Sequence, residues 1–141
     1  MKTTKSSIAV LLILIVTCIS TSCKKEKAQT QLPSNYTNQG TITVANKNIS
    51  ICVYDNSIED GDIIDLIFNG KTLIRNYELK NAERCFNVTL EKGDNWIGII
   101  AINEGTNPPA SVAVKVNDGV TEQEFDIDGE VNKPGGYILK L

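Results

Sequence analysis

Five carboxylates fall within the eleven residues 55–65: Asp55, Glu59, Asp60, Asp62 and Asp65, in the run DNSIEDGDIID, with no base among them. Like charges this close repel, and a hard cation with oxygen ligands is one remedy. Calcium takes about six to eight oxygens, which such a loop supplies in part, so calcium is the candidate cofactor and these five residues its candidate ligands. The spacing is not an EF-hand: counted from Asp55, the sixth position is Asp60 where that motif needs glycine, and the twelfth is Leu66. A competing reading needs no metal. Asp and Asn close turns through their own side chains, Gly61 supplies a positive φ, and water solvates the rest. A pair such as Asp60 and Asp62 could also do the acid–base work of a small hydrolase. Neighbours in one turn rarely face each other across a substrate, however, and the chain is read as a non-enzyme.

The rest of the composition narrows the chemistry further. There is no histidine in the 141 residues, which excludes Ser-His-Asp and Cys-His triads and imidazole zinc sites. A net charge of −3 and a pI near 5.0 argue against a nucleic-acid partner, which wants a basic face. Tyr54, Tyr77, Trp96 and Tyr137 could form an aromatic platform for a protein or glycan partner, with burial the alternative fate, for Trp96 above all.

The elements that would position these groups are strands. From residue 41 onward the apolar period is two rather than 3.6. Residues 41–45 suit an edge strand, and Ile49, Ile51 and Val53 alternate with Ser50, Cys52 and Tyr54. Residues 62–69 end at Asn69-Gly70, the strongest short hairpin signal. Phe86, Val88 and Leu90 share one face, and residues 96–103 are apolar on both faces, as in a central strand. Asn107-Pro108-Pro109 breaks the pattern before Val112, Val114 and Val116 resume it. Glu122, Glu124, Asp126 and Asp128 alternate with Gln123, Phe125 and Ile127, as on the wet face of an edge strand. A last strand follows Pro134-Gly135-Gly136. Seven or eight strands at this spacing predict an all-β fold, a single antiparallel immunoglobulin-like β-sandwich over residues 41–141.

The N-terminus carries an address. Lys2 and Lys5 precede twelve apolar residues, 8–19, too few to span a bilayer as a stable helix, and Ser20-Thr21-Ser22-Cys23 follows. This resembles a bacterial lipoprotein signal peptide, with Ser20 where the usual lipobox has leucine. The resemblance implies cleavage after residue 22 and lipidation of Cys23; Cys18, preceded by Val16 and Thr17, is the poorer acceptor. An ordinary secretory peptide and an uncleaved anchor are the alternatives. Residues 23–40 then read as lipidated cysteine and polar tether, a flexible chain spanning roughly 20–25 Å. Lys24 is not the aspartate that retains lipoproteins at the inner membrane, so the resemblance implies an outer-membrane lipoprotein, with the periplasmic and surface faces both open.

Segmentation sharpens the charge. Residues 41–141 hold nine basic and sixteen acidic side chains, a domain of net charge −7. It also leaves Cys52 and Cys85 as an even pair in an exported protein, each on the more polar face of its strand. A disulfide between them would close a loop of about 34 residues; two free thiols are the alternative.

A wider resemblance is carried by VYDNSIEDGDIIDLIFNG, NYEL, VTLEKGDN and AINEGTNPPASVAVKVND. Over about residues 49–117 these resemble a small β-sandwich module recurrent in secreted proteins and lipoproteins of bacteroidete bacteria, with Ser57 where glycine is expected. That module has no established activity, so it implies fold and no chemistry. Together these features read as a lipid-anchored cell-envelope binding or accessory module, attached to the membrane and contacting a protein or glycan. The alternatives are a structural envelope protein packing with its own kind and the small hydrolase.

Overall fold

The computed structural model describes residues 28–141. Nine strands run through them: β1 (Thr37–Thr43), β2 (Asn48–Tyr54), β3 (Asp62–Phe68), β4 (Lys71–Glu78), β5 (Arg84–Thr89), β6 (Asp94–Glu104), β7 (Ala110–Asn117), β8 (Glu122–Gly129) and β9 (Gly135–Lys140). They form a five-stranded sheet, β1-β9-β6-β3-β4, and a four-stranded sheet, β5-β2-β7-β8.

Alternation decides which side chains meet between the sheets. Ile49, Ile51 and Val53 of β2 and Val112, Val114 and Val116 of β7 bury one face of the smaller sheet. Ile64, Leu66 and Phe68 of β3, Ile97 and Ile99 of β6 and Leu139 of β9 face them in one continuous core. Each such side chain contributes about 1.5–3 kcal/mol on leaving water, which makes this register hard to slip. The β3–β4 hairpin turns at Asn69 and Gly70, with φ of 48° and 80°, the positive values that Asn-Gly tolerates. β6 lies at the centre of its sheet, which explains why its sequence is apolar on both faces.

The all-β sandwich matches the sequence expectation, with three differences. There are nine strands rather than seven or eight. Six of the seven strand pairs are antiparallel, but β1 runs parallel to β9. β1 also begins at Thr37 rather than at residue 41.

The third difference extends further back, because residues 28–36 are not a free tether. The Gln29 N–H donates to the Asn69 carbonyl (3.1 Å), and the Trp96 indole Nε1–H donates to the Gln29 carbonyl (2.6 Å). The Tyr36 ring meets Trp96 edge-on, centroids 5.0 Å apart. A Cβ on Gly98 would come within 2.6 Å of Tyr36 Cε1, and one on Gly136 within 2.9 Å of Leu32 Cδ1. Two side-chain-free positions thus let this segment lie flat on the outer face of the larger sheet as a strap. Trp96 is only 1% exposed, yet it is buried beneath the strap rather than between the sheets. The strap is fixed largely through main-chain groups and two rings, so no hydrophobic period marks it in the sequence.

Candidate functional site

The loop after β2 closes one end of the sandwich, and the five acidic residues separate: Asp55, Asp60 and Asp62 stay at that end while Glu59 and Asp65 turn to other partners. Asp55 continues the inward row of Ile51 and Val53 and is buried; its Oδ1 accepts from the Ser57 N–H (2.8 Å) and Oγ–H (2.9 Å). Asn81 clamps the same turn by donating to the Asp55 and Ser57 carbonyls. Glu59 turns sideways, accepting from the Asn81 N–H (2.7 Å) and lying 3.5 Å from Lys80. Asp65 is on the outer face of the larger sheet, where it accepts from the Asn76 N–H (2.7 Å) at an irregularity of β4 and lies 3.8 Å from Arg75. The metal-free reading therefore accounts for Glu59 and Asp65, which serve as turn and bulge acceptors.

Asp60 and Asp62 are arranged differently. Asp60 folds over the next loop, where its Oδ2 accepts from the Thr106 and Asn107 N–H groups at 3.1 and 2.8 Å. Gly105, at φ 59°, has no room for a Cβ beside that carboxylate. Asp62 points inward on the same side of β3 as Ile64 and is 6% exposed. Its Oδ1 is sealed from solvent without a hydrogen-bond partner. Burial pushes this carboxyl up to about 6; the charge of Asp60 adds to the rise, the Ser111 backbone N–H opposes it, and Asp55 and Glu104 raise it further.

Glu104 was not legible as part of this site. It lies 42 positions after Asp62, a distance the β3–β6 register cancels by setting Asp62 opposite Glu104. Glu104 Oε1 accepts from the Val131 N–H (2.5 Å). Among the described residues, one set of three Cys, Asp or Glu ligand atoms lies within 4.8 Å of one another: Cys52, Glu83 and Cys85. Both sulfurs there are consumed in a Cys52–Cys85 disulfide, which the direct pairing of the two residues across β2 and β5 makes possible. Cys23, the lipidation candidate, lies outside the described residues.

The aromatic residues do not form one platform. Tyr54 is on the outer face of the smaller sheet, donating to Glu124 (2.5 Å) with Lys115 Nζ 5.4 Å from its ring centroid. Tyr137 packs on Phe125, 4.4 Å between centroids, where the sheets meet at β8 and β9. Trp96 lies under the strap. The outer face of the smaller sheet is instead polar and cross-linked: Asn56 donates to Asp126, Ser111 to Asp128, and Asn117 to Glu122. β8 is its edge, carrying the acidic row expected there.

At the opposite end from Asp62, Asn69 and Asn95 form a buried polar knot. Asn69 donates to Asn95 (2.7 Å) and accepts from the Trp96 N–H (2.9 Å), while Asn95 bridges Glu91 and Gly93. A groove of about 680 Å³ opens beside it between β4 and β5, lined by Gln29, Phe68, Gly70, Leu73, Asn87 and Val88. Asp118 is a buried acceptor at the same end. Backbone N–H groups of Ala45, Thr121 and Val120, at 2.7, 2.7 and 2.8 Å, hold its carboxyl down at about 2.

No protein-family model matches the chain, and no curated protein or solved structure shows significant similarity to it.

Proposed function

We propose that this chain is a lipid-anchored module of the outer-membrane envelope, held by Cys23 and built to contact a protein or glycan partner rather than to catalyse. The observation that carries this reading is the strap. Its first anchoring bonds among the described residues, at Gln29, come six residues after Cys23. Six residues reach at most about 20 Å, so an anchor at Cys23 would hold the domain against the bilayer instead of letting it swing on a long tether.

Gln29 is tied to the end of the sandwich that carries the Asn69–Gly70 turn. That end would face the lipid, and the opposite end, with Asp55, Asp60, Asp62 and Glu104, would face away. The distribution of charge is compatible with this polarity: at the first end Lys47, Lys71, Lys92 and Lys140 are balanced by Glu91, Asp94, Asp118 and Glu122, whereas the far end is acidic. A neutral end suits an anionic lipid surface better than an acidic one. A binding role is further supported by the lack of any histidine base and by the polar, hydrogen-bonded outer face of the smaller sheet.

Metabolic labelling with a radioactive fatty acid tests the anchor. The native chain and Cys18→Ala should take up label and partition with membranes, and Cys23→Ala should do neither. Retention of label in Cys23→Ala contradicts the reading.

A further inference from the structure

We propose that a divalent cation, calcium by the chemistry of its donors, binds at the end of the sandwich where Asp62, Asp60 and Glu104 converge, with Asp55 beside them. Three routes of the chain bring these groups together. Asp62 and Glu104 are opposed across β3 and β6. Asp60 precedes β3 and lies against Gly105, the residue after Glu104. Asp55 ends the inward row of β2, from the other sheet.

The decisive group is the Asp62 carboxylate. It is nine-tenths buried, it points between the sheets toward this acidic mouth, and its Oδ1 has no donor. A buried, unpartnered carboxylate oxygen is costly, because nothing replaces the water it has lost. A proton shared with a neighbouring carboxylate is the competing remedy, and it predicts no calcium shift in the native chain. Lys80 and Lys133 do not supply a partner: Lys80 is engaged by Glu78 and Glu59, and Lys133 by Glu130.

A cation would satisfy the oxygen and cancel the mutual repulsion at once. Asp60 and Glu104 each use one carboxylate oxygen on backbone N–H groups, leaving Asp60 Oδ1 and Glu104 Oε2 without donors among the described hydrogen bonds. All-oxygen, carboxylate-rich donors select a hard ion, and the flexible coordination of calcium suits a site closed partly by water. The four residues do not lie within a single 4.8 Å set, so binding would draw Asp60 and Glu104, both partly exposed, toward the fixed Asp62. Glu59 and Asp65 take no part.

Thermal unfolding of the purified chain at neutral pH, in a chelator and in about 5 mM calcium, tests this. Binding only to the folded state raises the midpoint, and the native chain should gain about 5 °C or more. Asp62→Asn and Asp60→Asn should lose that gain, while Asp65→Asn keeps it. Asp62→Asn should also be at least as stable as the native chain in chelator, since it removes a repelled charge. Should Asp62→Asn fail to fold, Asp60→Asn on the exposed loop gives the same readout. No calcium shift in the native chain, or an undiminished shift in both variants, overturns the site.

Discussion

The indole Nε1–H of Trp96 donates to the main-chain carbonyl of Gln29 across 67 positions of sequence, at 2.6 Å. This bond joins the N-terminal strap to the central strand of the larger sheet. It makes residues 28–36 part of the folded domain, with the Tyr36 ring as the second clamp on the same indole.

Tyr36→Ala should therefore behave as a core mutation although it lies on the outer face of a sheet. Loss of the ring contact and exposure of Trp96 should cost about 2–4 kcal/mol in denaturant unfolding. The fluorescence of Trp96, the only tryptophan, should shift to the red in the folded variant.

Asn95→Ala should cost about 1–3 kcal/mol, because it leaves the buried Asn69 amide without its partner and unties the main-chain groups of Glu91 and Gly93 in the exposed turn. Chemical denaturation reads the loss. Asn95→Asp, which keeps an acceptor but adds a buried charge, should be no better tolerated.

Reduction of the Cys52–Cys85 bond, or its replacement by two serines, should lower stability by about 3–4 kcal/mol in the chain-entropy model. The sandwich should still fold, because the bond lies on the outer face of β2 and β5 and the core between the sheets is independent of it.

Asp118 should give the domain an acid-sensitive step. Its folded-state carboxyl titrates near 2, held down first by the Ala45 N–H and then by those of Thr121 and Val120, below its unfolded value of about 3.9. The stability it contributes is therefore full above about pH 4 and is lost as pH falls toward 2. Unfolding midpoints of the native chain should drop across that window more steeply than those of Asp118→Asn.

Most of the fold could be read from local pattern. Alternating and apolar runs between turn signals marked the strand segments, and Asn69-Gly70 marked its hairpin, because a buried face and a positive φ leave local signatures. The strap left none: Gln29 acts through its main chain, and the room it needs comes from Gly98 and Gly136, far away in sequence. The acidic end was half legible. Local charge density flagged Asp55, Asp60 and Asp62, but also Glu59 and Asp65, which bond to Asn81 and Asn76 instead. Glu104 entered only through the β3–β6 register, a non-local property.

The central claim, that the strap holds a lipid-anchored domain close and upright on its membrane, has a direct test. In the lipidated chain incorporated into vesicles, the disulfide masks Cys52 and Cys85, so a donor dye can be placed at Lys71→Cys or at Ile58→Cys, at opposite ends of β3. Energy transfer to an acceptor lipid should be strong from position 71 and clearly weaker from position 58, separated by a strand of roughly 20 Å. Equal transfer from the two positions, as from a domain tumbling on a loose tether, would contradict it.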